Sequence, residues 1–371
     1  SLHKVRENCH FLDHPPTPMP LRNINMVPYS IIMKFKIIYY TFIYITIIIN
    51  MTVHSQTDNN TSSNLKTKLI QPEYLKSGDT ISIVAPSGVL NDFENKIKLA
   101  IEIFEGWGLN VKLGEHIYNK NGHFAGTDKQ RASDFQIALD NKNIKAIWCA
   151  RGGYGTVRII DDLSFKTYLK NPKWIIGFSD ITVIHNKLNI LNSESIHAIM
   201  PSGIENLEPV NKSIIKLKNI LFGKDLSYTI NSNKNNKKGD TQGILVGGNL
   251  TLIQTLIGSN TQLETDNKIL FIEDVGEYAY HIDRMLHSLK RSGYFEKCSG
   301  LIVGQISDIK KNSTDFGMTI NELILDLLKE YDFPILFNFP AGHEKLNYPM
   351  ILGRKVRLSV SESESEVDFY N

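Results

Sequence analysis

Three residues of this chain have the types that nucleophilic acyl chemistry requires: Ser179, Glu273 and His343. A serine hydroxyl is a poor nucleophile at neutral pH. An imidazole that takes its proton, and a carboxylate that fixes the imidazole tautomer and stabilises the imidazolium, make it a useful one. Ser179 follows the apolar run Trp174-Ile175-Ile176-Gly177-Phe178, and Ile181, Ile184, Leu188 and Leu191 then repeat at three- and four-residue steps. A serine on a tight strand-to-helix turn projects its hydroxyl away from the backbone, with free N–H groups and the positive end of the helix dipole behind it. That is a nucleophile elbow, in which the N–H after the serine helps to bind an oxyanion. The same residues admit a plainer reading, in which Ser179 or Asp180 only caps the helix.

The other two residues also end strand-like runs. Glu273 is the first charge after Ile269–Ile272, and His343 follows Gly342, with Asn347 four residues further on. Singly, an acid at a strand end belongs to the solvated edge, and a lone histidine is a surface or hydrogen-bonded residue. Together, in the order Ser…Glu…His, they make a triad arrangement recognisable by role. A further turn, Arg151-Gly152-Gly153-Tyr154-Gly155, follows the apolar run Ile144–Ala150. It has neither the Gly-Lys-Ser/Thr ending of a phosphate loop nor the Gly-x-Gly-x-x-Gly spacing. It is read either as a tight turn needing positive φ or as the source of a second oxyanion N–H beside Ser179.

Composition limits the alternatives. Of the 41 Lys/Arg and 39 Asp/Glu, five and two fall in residues 1–55, which leaves 36 bases against 37 acids and no basic field for nucleic acid. Cys9, Cys149 and Cys298 are too scattered for a disulfide framework or a Cys-based zinc site. The histidines form no His-Glu-x-x-His pattern, so no metal centre is expected.

The elements that must hold these residues follow in order. Residues 1–32, with Pro15, Pro16, Pro18 and Pro20, read as an upstream segment outside the fold. Residues 33–55 read as a signal peptide: Lys34 and Lys36, an apolar run Ile37–Ile49, then small residues. Export, with a periplasmic mature protein, is the expectation, and an uncleaved membrane anchor is the next option. A polar linker is expected over 56–74. From 75 to 204, strands at Thr80–Ala85, Leu109–Leu113, Ile144–Ala150 and the run before Ser179 alternate with helical patterns. Residues 205–241, which include Asn231–Gly239, read as an exposed interdomain linker. A second α/β unit spans 242–360, with Gly247-Gly248-Asn249 turning into a helix and Arg354–Val360 closing it; the Ser/Glu tail 361–371 reads as solvated. Alternating strands and helices imply an α/β fold with a parallel sheet whose sites lie at the carboxyl ends of the strands. A chain of 371 residues with 42% hydrophobic content has the size for two domains.

From 75 to 360 the chain resembles the LD-carboxypeptidases, serine peptidases related to muramoyltetrapeptide carboxypeptidase and to microcin C self-immunity peptidases. The matching segments occur in order: Val84-Ala85-Pro86-Ser87-Gly88, Arg151–Gly155, Gly177-Phe178-Ser179-Asp180-Ile181-Thr182, Gly247-Gly248-Asn249-Leu250, Glu273-Asp274-Val275-Gly276-Glu277, and Gly342-His343 with Asn347 and Gly353. The resemblance implies an N-terminal parallel-sheet α/β sandwich domain and a smaller C-terminal α/β domain with the site between them, commonly in a homodimer. It implies a catalytic Ser179–Glu273–His343 set, with oxyanion donors on the backbone N–H of Asp180 and of Gly153. The reaction implied is release of the terminal D-alanine of murein tetrapeptides without metal or cofactor. The alternative is cleavage of peptidyl or aminoacyl nucleotide amides. Selection of a free carboxylate requires a fixed cation or a cluster of N–H donors; Arg151, Arg158 and Arg284 are the candidate cations, and each also reads as a surface residue or a salt-bridge partner. The leader departs from the many relatives that act in the cytoplasm, and Thr156 stands where the family often has Ser or Ala.

Overall fold

A computed structural model describes residues 69–204 and 212–370, together with Thr41. The chain divides into two units, Ser1–Lys66 and Thr67–Asn371, and the fold below is that of the second. Apart from Thr41, the upstream segment and the leader expected over 33–55 lie outside the described residues.

The elements in chain order are β1 (Thr80–Val84), α1 (Glu94–Glu105), β2 (Asn110–Leu113), α2 (Asp128–Asp140), β3 (Ile144–Cys149), β4 (Trp174–Gly177), α3 (Thr182–Ile190) and β5 (Ser195–His197). There follow α4 (Lys212–Leu221), β6 (Ser227–Asn231), β7 (Gly239–Asn249), α5 (Leu250–Thr255), β8 (Lys268–Val275) and α6 (Ala279–Arg291). The last are β9 (Gly300–Ser307), α7 (Ile320–Leu327), β10 (Ile335–Leu336), β11 (Met350–Leu352), β12 (Lys355–Val360) and β13 (Glu364–Phe369).

Two sheets result. The first runs β11-β5-β4-β3-β1-β2 and is parallel except for β11. The second runs β10-β9-β8-β7-β12-β13-β6, parallel from β10 to β7 and antiparallel from there on. The strand pattern explains both. Along β3, Ala146 and Trp148 face one apolar cluster while Ile144, Ile147 and Cys149 face another. Along β8, Ile269 and Phe271 join the first of these clusters while Leu270 and Ile272 face a third. Strands buried on both faces read as continuous apolar runs, as parallel strands covered by helices do. Trp148, Trp174 and Ile176 of the first sheet share a core with Ile269, Phe271 and Leu358 of the second, which packs the two domains face to face.

Three expectations about the connecting segments are corrected. Within 205–241, where an exposed linker was expected, α4 buries Ser213, Leu217, Ile220 and Leu221, and β6 pairs with β13. Lysines between those apolar residues mask the 3-4 spacing. The tail expected to be solvated forms β13, whose Ser365, Val367 and Phe369 point inward in a period of two. Consequently β12 lies inside the second sheet rather than closing it. The end of the expected linker 56–74 is also docked: Ile70 bridges to Ser193, and Tyr74 stacks on Trp174.

Candidate active site

β4 is fully buried, and its last residue, Gly177, has no room for a side chain: a Cβ there would stand 2.9 Å from Ile181 Cγ1. The chain can therefore fold sharply back on itself. Ser179 takes φ 59°, a region a non-glycine residue seldom occupies, at a cost on the order of 1–3 kcal/mol that surrounding structure must hold. A 3-10 turn, Ser179–Ile181, leads into α3, which is buried on nearly every side. This is the tight strand-to-helix turn read from the sequence, with Ser179 at the bend.

The Gly-rich turn lies against it. A Cβ on Gly152 would fall 3.0 Å from Ser179 Cβ and 3.1 Å from its Oγ. Gly152, rather than Gly153, is therefore the residue that makes room for the serine, while Gly153 turns the chain at φ 99°. Neither the N–H of Gly153 nor that of Asp180 donates a hydrogen bond among the described residues, which leaves both available to an oxyanion. The Asp180 side chain has a task that the sequence reading missed. It is buried, and its Oδ2 accepts from Thr156 N at 2.8 Å and from Thr156 Oγ1 at 2.6 Å. Thr156 Oγ1 also meets Ser87 Oγ at 2.7 Å, so a hydroxyl at 156 links three loops. Behind them, buried Arg131 donates to the carbonyls of Pro86 and Gly155 and pairs with Asp128.

The acid and the imidazole come from the second sheet. Glu273 is fully buried at the end of β8, and its Oε2 accepts from His343 Nδ1 at 2.8 Å. Space for this approach comes from Gly304 on β9. A Cβ there would collide with Ala341 O and stand 3.2 Å from Glu273 Cβ. The β8–β9 register shifts at the same place, between Ile272 and Asp274. The loop carrying His343 is held by Gln305: its backbone N donates to Ala341 O at 2.9 Å, its Nε2 donates to Leu346 O at 2.9 Å, and its Oε1 accepts from Glu344 N at 2.9 Å. Inside the loop, Asn347 Oδ1 accepts from Gly342 N at 3.2 Å. His343 remains 20% exposed and borders an open cavity of about 930 Å³.

The two halves are joined beside the site. A Cβ on Gly248 would stand 2.5 Å from Thr182 Oγ1, and Asn249 N donates to that oxygen at 3.0 Å. Asn249 Nδ2 in turn reaches Asp274 Oδ1 at 3.3 Å, and Asp274 Oδ2 accepts from Thr251 N and Oγ1. The Gly-Gly-Asn turn thus fixes the start of the nucleophile helix against the strand bearing Glu273. The His343 ring meets that of Phe178, the residue before Ser179, in a tilted contact with centroids 4.8 Å apart. Among the described residues Ser179 Oγ makes no hydrogen bond, so the serine–imidazole link is not closed here; catalytic bonds of unliganded enzymes often tighten only with substrate.

The electrostatics suit a general base. Burial alone would lower the pKa of His343, but the hydrogen bond and charge of Glu273, with Asp274 and Asp308 further off, raise it above the usual imidazole value. Burial raises Glu273 above the ordinary carboxylate range, against the pull of His343. Beneath the site, His197 is fully buried between the rings of Phe178 and Phe271, and burial drives its pKa well below the usual value.

The signals that were missed are long-range. Gln305, Gly304, the Asp180 carboxylate and Arg131 in its bonds to Pro86 and Gly155 act on residues 24 to 45 positions away, and nothing in their local sequence marks them.

Residues 81–198 match the LD-carboxypeptidase N-terminal domain and residues 242–358 the LD-carboxypeptidase C-terminal domain. The chain is 30% identical over 304 residues to a probable murein peptide carboxypeptidase of Bacillus subtilis (strain 168), covering 80% of this chain and 94% of that one. The solved muramoyltetrapeptide carboxypeptidase of Oxalobacter formigenes aligns with TM-score 0.72 at 27% identity, over 79% of this chain and 99% of that one. MccF in complex with glutamyl sulfamoyl guanosine aligns with TM-score 0.73 at 20% identity, over 81% and 98%, a likeness of fold.

Proposed function

The chain belongs to the LD-carboxypeptidase family, and from that premise we propose that it is a serine hydrolase that cleaves the L,D-amide bond of murein tetrapeptides and releases the terminal D-alanine. The observation that carries this reading is the hydrogen bond between buried Glu273 and His343, whose ring meets that of Phe178, the residue before the elbow serine.

His343 takes the proton of Ser179, whose Oγ attacks the scissile carbonyl. The N–H groups of Asp180 and of the Gly152-Gly153 turn hold the oxyanion; loss of one such donor costs on the order of 3 kcal/mol in the barrier. His343 then gives its proton to the leaving D-alanine nitrogen. Water, deprotonated by the same imidazole, hydrolyses the acyl-enzyme, and Glu273 steadies the imidazolium in both half-reactions. The leader read at 33–55 supports export and action on murein in the periplasm, and a homodimer is part of the same reading; fractionation and light scattering test these two points.

Incubation of the purified protein with murein tetrapeptide, with Ser179→Ala in parallel, tests the assignment through free D-alanine. Release by the wild type alone supports it. No release by folded wild type, with turnover of an aminoacyl nucleotide amide instead, moves the function to nucleotide amides. Trp148 and Trp174 are buried and donate to Ile199 O and Glu73 O, so neither offers a free face to a nucleobase.

A further inference from the structure

A carboxypeptidase must recognise the free carboxylate of the leaving residue, through a fixed cation or a cluster of N–H donors, and we propose that Arg151 is that anchor; the inference rests on the reading just given. The terminal carboxylate lies only one peptide unit, roughly 3.8 Å, beyond the scissile carbonyl. Its partner must therefore sit on an element that also touches the nucleophile. Arg151 does: the next residue, Gly152, packs against Ser179 Cβ and Oγ.

The guanidinium is held but not neutralised. One Nη donates to Val89 O, and Cζ lies 5.2 Å from the centre of the Phe93 ring. The side chain lies along Gly88, whose Cβ would stand 3.6 Å from Nε, and Gly88 itself is held close to the turn, where a Cβ would fall 2.8 Å from Gly152 O. Among the described residues no carboxylate pairs with it, although it is half-buried. Lys96 adds to the field. Its Nζ lies 5.1 Å from the same ring and donates to Ser202 O at 2.8 Å, again with no acid partner. Because Ser202 N donates to Ala150 O at 3.0 Å, both cations are tied to the end of β3. A half-buried cation without a counter-charge has lost part of its hydration, a cost that the charge and hydrogen bonds of an incoming anion offset. A guanidinium with donors to spare matches a carboxylate in a two-bond fork.

The other two arginines are placed differently. Arg158 is taken by Asp128, with Nη2 at 2.6 Å and Nε at 3.0 Å. Arg284 lies over the exposed ring of Tyr280 on α6, at 5.5 Å.

The test compares a tetrapeptide ending in D-alanine with the same peptide ending in D-alaninamide. Release of tripeptide gives kcat/KM for each, and Kd is measured for both in a Ser179→Ala background, where no turnover interferes. In the wild type the acid is favoured; in Arg151→Gln the acid:amide ratio should collapse by about 10- to 100-fold, the value of a charge-assisted bond, in both kcat/KM and Kd. Arg151→Lys, which keeps the charge but not the fork, should retain part of the preference and serves if Arg151→Gln is unstable. An unchanged ratio in folded Arg151→Gln overturns the proposal, as does a collapse in Arg284→Gln or Arg158→Gln. Wild type that turns over both peptides equally refutes the anchor alone. Wild type that turns over neither refutes the murein reading, and the anchor with it.

Discussion

His343 Nδ1 stands 2.8 Å from Glu273 Oε2, across a 70-residue separation in sequence, and this bond leaves Nε2 as the nitrogen for the serine proton. A base must be neutral to accept that proton, and Glu273 raises the pKa of His343 above 6.5. Activity should therefore rise with pH through a limb centred above 6.5 in kcat/KM, which reports the free enzyme. Glu273→Gln removes the charge that favours imidazolium, so the limb should move to lower pH while kcat falls by about 10⁴. A pH–rate profile of both proteins decides it; an unmoved limb would separate His343 from the titration.

Thr156→Val and Asp180→Asn each break the tie between the elbow and the Gly-rich turn. Since both oxyanion donors sit on those loops, kcat should drop by about 10²–10³ with KM little changed. Steady-state kinetics on folded protein check this, and equal loss in KM would point to substrate binding instead.

Gln305 is expected to act through His343 without touching substrate. Gln305→Leu removes the side-chain bonds to Glu344 N and Leu346 O on either side of the imidazole. A misplacement near 1 Å costs on the order of 10² in rate, so kcat should fall at least tenfold. The pH limb should drift downward as the Glu273 bond loosens, whereas a merely structural residue would leave it in place.

Gly248→Ala should be among the most damaging small substitutions. The new methyl would fall 2.5 Å from Thr182 Oγ1, in a backbone at φ 141°. Overpacking added to torsional strain should cost about 3 kcal/mol or more. Gly258→Ala is the control: its φ of 81° carries the torsional penalty, but nothing lies within 4 Å. Thermal melts of the pair isolate the steric part.

Much of this protein is decided by its sequence locally. The alternation of buried strands and amphipathic helices, the turn at Gly177 and the chain order of Ser179, Glu273 and His343 all follow from apolar spacing and backbone torsions, which neighbouring residues determine. What the sequence could not decide is which distant residues meet. That β11 joins the first sheet beside β5 while β12 and β13 extend the second depends on registers spanning some 110–155 residues. The Lys-interrupted α4 and the Ser/Glu alternation of β13 resemble solvated chain until a partner strand or core covers one face. The choice of Gly152 beside the serine, the Asp180–Thr156 tie and the Gln305 clamp likewise exist only after the sheets have packed, because a hydrogen bond depends on where its partner lies in space and not on what precedes it in the chain.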